Sequence, residues 1–157
     1  MNLFTALFPP PEAVAELDGA LDPLRRAHPR LRWADPARWH VTVRFFGPVD
    51  PDAHHAAHLA DLAGVPAPTL RLAGSGHFRQ VLWIGVEGPL AELGEAARVV
   101  DWHPHLTVAR ARRRDDELPL PAFTGREWTA TEVALVRSGP PAGYTVLDRV
   151  PLSTPNG

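Results

Sequence analysis

The sequence predicts a single α+β domain built from antiparallel hairpins, and three observations predict it. Short alternating apolar runs closed by Pro or Gly outnumber the helical patterns, which marks a chain made mostly of strands. The 18 Pro and 12 Gly are scattered between those runs, with no linker-like concentration, so residues 1–157 read as one domain. At 157 residues the chain can bury about two-thirds of its unfolded surface, so stability requires no disulfide or metal.

Taken in order, Leu3 to Phe8 is an apolar strand stopped by Pro9-Pro10-Pro11, whose prolines pre-set the first turn of a helix. From Glu12 to Arg26, Val14, Leu17, Leu21 and Leu24 recur at spacings of three and four, and Pro23 is expected to interrupt that helix. A short strand from Leu31, a turn at Asp35-Pro36 and a stronger strand over Trp39 to Phe46 come next. Asp50-Pro51 opens a second helix reaching Ala63, with Gly64 as its stop. Strands over Thr69 to Phe78 and Val81 to Val86 join at Arg79-Gln80, with a turn or bulge at Gly74-Ser75-Gly76. A helix over Pro89 to Val99 precedes a strand over His105 to Ala111, a charged loop through Glu117, and strands over Glu132 to Arg137 and Tyr144 to Val150.

Composition removes several chemistries. The chain has no Cys and no Lys, all 16 basic residues being Arg, and only three Ser and one Tyr. Thiolate catalysis, a Cys-type zinc cluster, a Schiff base and a Walker-type phosphate loop are therefore excluded. His, Asp, Glu, Arg and Thr remain. A net charge of −2 argues against a coat for long nucleic acid but leaves a short or terminal polyanion open. The opening MNLFTALFPPPEA lacks a basic n-region, and no run approaches the ~20 apolar residues of a membrane span, so a soluble cytoplasmic protein is expected. With no heptad and no long apolar edge, a monomer is the default.

One weak internal repeat is present. His40-Val41-Thr42-Val43 is echoed 65 residues later by His105-Leu106-Thr107-Val108. In a strand, residues i and i+2 share a face, so each His-Thr pair points one way while Val41, Val43, Leu106 and Val108 point the other. Two facing imidazoles suit in-line phosphoryl displacement, since one can be neutral and accept a proton while the other is charged and gives one. Thr hydroxyls can donate to phosphate oxygens, and Thr and Arg together can supply electrostatic stabilisation without a metal or cofactor. One His-x-Thr-x alone reads more simply as a structural histidine; the second copy is what gives the pattern weight.

Beyond those tetrapeptides, LFTALFPPPE, LRWADPARWHVTVRFFGPVD, VLWIGV, HPHLTVARAR and the closing VLDRVPL resemble, in order and over almost the whole chain, the two-histidine phosphoesterase superfamily. The nearest branch is the bacterial and archaeal RNA 2′,3′-cyclic phosphodiesterases once described as 2′-5′ RNA ligases. The resemblance implies two pseudo-symmetric lobes with antiparallel sheets flanked by helices, and a cleft carrying one His-x-Thr-x on each side. It further implies His40 as proton donor to the leaving ribose oxygen, His105 as proton acceptor that activates water, Thr42 and Thr107 as phosphate holders, and Arg110, five residues beyond the second motif histidine, as another phosphate contact. The implied partners are RNA 3′ ends or small cyclic nucleotides. The stretch between VLWIGV and HPHLTVAR is short for the family, which opens that rim of the cleft, and Arg110 has the wrong strand parity unless the strand ends, bulges or twists near Ala109.

Other residues carry two readings each. Arg44 shares parity with His40 and Thr42, as a phosphate or ribose contact or a salt bridge at the strand end. Phe45 and Phe46 read first as core and second as base-stacking surfaces, while Phe78 and Tyr144 divide between the same two roles. His54, His55 and His58 in the second helix lack a Glu in zincin spacing and read as a solvated face; His103 reads as a supporting or surface residue. Arg112, Arg113 and Arg114 read as an exposed charged loop before an RNA contact. Alternative functions are a 2′,5′-phosphodiesterase or reversible 2′-5′ RNA ligase using the same pair, a non-catalytic RNA-end binding module, and a His-rich metalloprotein.

Overall fold

A computed structural model describes residues 2–48, 59–140 and 143–154. Strand β1 (Asn2–Leu7) is buried along nearly all its length because it is covered on both faces. Leu3 and Leu7 enter the main core, whereas Phe4 and Ala6 join Ala134 and Val136 in a smaller apolar layer on the opposite face. Helix α1 (Pro11–Ala27) begins on proline, with Glu12 in its first turn and Arg25 and Arg26 in its last, charges that complement the helix dipole.

Contrary to the sequence expectation, α1 runs through Pro23. Gly19 and Pro23 lie on the exposed face one turn apart, so the carbonyl that proline cannot bond meets water, while Leu17 and Leu21 anchor the buried face. Arg25 braces this turn, donating to the Asp18 carbonyl at 3.1 Å and pairing with its carboxylate at 2.7 Å.

The remaining elements are β2 (Arg32–Trp33), a 3₁₀ turn at Pro36–Arg38 capped by Asp35, β3 (Val41–Pro48), β4 (Thr69–Phe78), β5 (Val81–Glu87), α2 (Ala91–Ala96), β6 (His105–Arg110), β7 (Thr124–Thr129), β8 (Glu132–Gly139) and β9 (Gly143–Pro151). The helix expected over residues 50–63 lies mostly outside the described residues; of it, Leu59 and Ala60 are helical. Helix α2 is shorter than expected because Arg98 takes a positive φ and Val99 N–H closes on the Gly94 carbonyl at 2.9 Å. Strand β7 was not expected. No helix among the described residues is long and apolar enough to cross a membrane.

All strand pairings are antiparallel, in the order β7-β4-β5-β6-β3-β1-β8-β9, with β2 also paired to β6. The sheet curls, and it divides into two four-stranded halves, β6-β5-β4-β7 and β3-β1-β8-β9. Between them only Val41 and Leu106 are partnered among the described residues. The α+β, two-lobed expectation is met.

Candidate active site

The two histidine strands meet at that junction. Val41 and Leu106 are fully buried in the main core. Alternation about them turns His40, Thr42, His105 and Thr107 to the other face, where all four line one cavity of about 600 Å³. Asn2, Phe4, Trp33, Arg38, Phe45, Arg110, Ser138 and Tyr144 complete most of its wall.

Both rings are held by the same device. His40 Nδ1 lies 2.8 Å from the carbonyl of Arg38, and His105 Nδ1 lies 2.7 Å from the carbonyl of His103. A carbonyl can only accept, so each Nδ1 carries the hydrogen and each Nε2 is left for chemistry. Aromatic packing fixes the ring planes. Phe4 stacks on His40 at 4.9 Å between centroids with Tyr144 edge-on at 5.4 Å, and Phe78 meets His105 edge-on at 5.1 Å. Trp83 and His103 extend the second cluster, their rings 4.9 Å apart. Burial lowers the His40 pKa from its ordinary 6.5, the bond to the Arg38 carbonyl opposes this, and the charge of His105 adds to the lowering.

Paired bulges decide which further residues reach the cleft. Across β1 and β3, Thr5 faces Arg44 and Ala6 faces Thr42, leaving Val43 as an extra residue. Across β5 and β6, Leu82 faces Ala109 and Trp83 faces Thr107, leaving Val108 extra. The sequence repeat therefore contains a structural repeat, a bulge three residues after each histidine, and each bulge inverts the parity of the residues after it.

Beyond the second bulge, Val108 and Ala109 are consecutively buried and Arg110 lines the cavity beside Thr107. Beyond the first, parity carries Arg44 away from the cleft, which corrects the expectation for that residue. Its backbone N–H donates to the buried Thr5 hydroxyl at 3.2 Å, and its guanidinium donates to the Ala97 carbonyl at 3.3 Å and lies 4.9 Å over the Phe46 ring. Phe45 holds the place equivalent to Arg110. It is 59% exposed and lines the cavity, so core packing is not its role; Phe46 packs against the main core instead.

The structure brings Tyr144 to the cleft wall and Phe78 against His105, each partly exposed. His103 contributes its carbonyl. His54, His55 and His58 lie outside the described residues. Trp102, which the sequence did not single out, donates from its indole to the Thr42 carbonyl at 3.1 Å and so ties the approach to β6 onto β3. Arg38 lies 5.6 Å over the Tyr144 ring at the cleft edge. These two could not be found from residue type alone, because one acts on a carbonyl and the other is defined by its neighbour.

A family model described as the 2′-5′ RNA ligase superfamily matches residues 9–140. No curated protein matches the chain. Among solved structures, the chain is similar to TT0787 of Thermus thermophilus, with 29% identity, a TM-score of 0.73, and 96% of this chain and 97% of that one covered. It is also similar to LigT of Escherichia coli complexed with 3′-AMP, with 25% identity, a TM-score of 0.74 and coverage of 97% and 98%. A crystal structure described as a phosphoesterase matches with 27% identity, a TM-score of 0.78 and coverage of 97% and 98%.

Proposed function

The chain belongs to the 2′-5′ RNA ligase superfamily, a family of phosphoesterase and RNA-ligase enzymes, and from that premise we propose that it hydrolyses RNA or nucleotide 2′,3′-cyclic phosphate termini to 2′-phosphates. The observation that carries this reading is the duplicated histidine: two imidazoles in one cavity, each with Nδ1 tied to the carbonyl two residues before it. Phosphate between them meets one Nε2 on each side.

In the proposed step, water attacks phosphorus and gives its proton to His105 Nε2. The P–O3′ bond breaks, and His40 Nε2 protonates the departing O3′, leaving a 2′-phosphate and a 3′-hydroxyl. Thr42 and Thr107 hydroxyls and the Arg110 guanidinium donate to the non-bridging oxygens, where charge is held through the transition state. Burial favours neutral His40, and an entering phosphate anion supplies the opposite charge that raises its pKa and restores the proton it must give. Phe45 offers a ring face to the base, in keeping with the 3′-AMP complex of the LigT relative.

The test is incubation of the purified chain, with chelator present, with a short RNA ending in a 2′,3′-cyclic phosphate, the product phosphate position being read by chromatography. Conversion to a 2′-phosphate is expected. His40→Ala and His105→Ala should each lower kcat by ~10²–10⁴ with an unchanged fold. Full activity in either variant would overturn the assignment, and turnover of 2′,5′-linked oligonucleotides alone would replace the substrate.

A further inference from the structure

Among the described residues, five of the 16 arginines are ion-paired. Arg25 and Arg26 pair with Asp18 and Asp22, Arg71 with Glu127, Arg126 with Glu16 and Arg149 with Glu132. Among the described residues, none of Arg30, Arg32, Arg79, Arg110, Arg112 and Arg113 makes a side-chain ion pair.

Those six converge on the far end of β6 from three stretches of the chain, residues 30–32, 79 and 110–113. Arg32 is the cross-strand partner of Arg110. Arg79 sits in the β4–β5 turn, where the next carbonyl, that of Gln80, accepts from Ala111 N–H at 2.8 Å. Arg112 comes directly after that Ala111. Arg30 and Arg113 line one depression of about 410 Å³ beside them. Like charges directly opposite each other destabilise a ladder, yet Arg32 and Arg110 occupy such a pair in a chain of net charge −2. A polyanion laid along this edge removes the repulsion.

We propose that this edge is a phosphate track that holds the single-stranded RNA immediately 5′ of the end seated in the cleft. The track rests on the function proposed above and makes the substrate an oligonucleotide in preference to a mononucleotide. Arg110 belongs to both places, lining the cavity and flanking Arg32, so a strand leaving the cleft there passes onto the track without a gap. The track is short. Asp115, Asp116 and Glu117 also line the depression, and the Asp116 carboxylate accepts from Arg113 N–H at 3.0 Å, so a phosphate path ends there against negative charge.

The test compares the wild type with an Arg32→Ala/Arg113→Ala double variant on adenosine 2′,3′-cyclic phosphate and on a hexanucleotide with the same 3′ end. The variant is expected to lose about tenfold or more in kcat/KM on the hexanucleotide and to stay within about twofold on the mononucleotide. Arg32→Lys/Arg113→Lys should recover most of the loss. In parallel, fluorescence anisotropy of a labelled hexanucleotide ending in a 3′-phosphate reads affinity against salt. The slope of log K on log salt should fall by about 1.4 in the alanine variant, roughly 0.7 for each phosphate no longer neutralised. Equal losses on both substrates, or an unchanged salt slope, would overturn the track. If the wild type turns over neither cyclic phosphate, the proposed reaction fails, and the anisotropy arm still decides the track because it needs only binding.

Discussion

Val41 and Leu106 are Cα partners across β3 and β6, and both side chains are fully buried. Each is the middle residue of a His-x-Thr triplet, so one backbone contact puts both histidines and both threonines on the same face of the junction. The two halves of the sheet owe their common cleft to it.

Trp102 supplies a second tie between the halves, and its removal should be measurable. Trp102→Phe deletes the 3.1 Å bond to the Thr42 carbonyl while keeping most of the apolar volume. A loss of about 1 kcal/mol is expected, or roughly 2–4 °C in Tm for a chain of this size, together with lower kcat because Thr42 is freed. Thermal unfolding by circular dichroism checks it; an unchanged Tm would mean that the bond is not part of the coupling.

The bulges make opposite predictions for two arginines at similar distances from their histidines. Arg110→Ala removes a donor from the cleft and should lower kcat/KM by about tenfold or more, on the order of one charge-assisted hydrogen bond. Arg44→Ala removes a bond to the Ala97 carbonyl on the far face and should leave turnover within about twofold. Steady-state kinetics on a cyclic phosphate decide, and comparable losses in both variants would refute the inverted parity.

His40 gives a pH prediction whose sign is fixed. Its pKa is lowered chiefly by burial and further by His105, so its ring should titrate below 6.5 in the free protein when followed by NMR. Binding 2′-AMP should move the midpoint up, and so should His105→Ala, which removes a lowering charge. A downward shift with the nucleotide would contradict the proposed acid role. For stability, a folded pKa below the unfolded one means the contribution of neutral His40 is complete above 6.5 and is lost as pH falls through the folded value.

Gly76 is required by its neighbour. A Cβ there would lie 2.3 Å from the Trp83 ring, which packs across it between β4 and β5 and supports His103. Gly76→Ala should destabilise by about 1–3 kcal/mol through overpacking and loosen the aromatic cluster behind His105. Denaturant unfolding gives the first effect, and loss of near-ultraviolet circular dichroism the second.

The features legible in the sequence were those written in side chains. Alternation around Val41 and Leu106, the proline boundary before α1 and the duplicated histidines are all local patterns. The supports of those histidines were not legible, because the groups that hold Nδ1 are backbone carbonyls of Arg38 and His103, which any residue could provide. Arg44 was misplaced for a related reason. Parity counting assumes a regular strand, and nothing in Val43 announces the bulge, beside which the Thr5 hydroxyl of another strand accepts from Arg44 N–H. Strand β7 escaped because Thr-Gly-Arg-Glu-Trp-Thr has a glycine and only one large apolar residue, enough for an outer strand already paired along one side by β4. Pro23 failed as a stop because the helix turns its unbonded carbonyl to water.

The extra residue in β6 also changes what an in-frame deletion means. Removing one amino acid from a strand ordinarily registers as damage to folding. Here, loss of Val108 would straighten β6 into regular pairing with β5, and Arg110, then two residues beyond Thr107, would keep its place on the cleft face. A genetic screen at this locus would then score as active a protein one residue shorter, because the residue lost is the one without a partner on β5 and the phase of the strand survives.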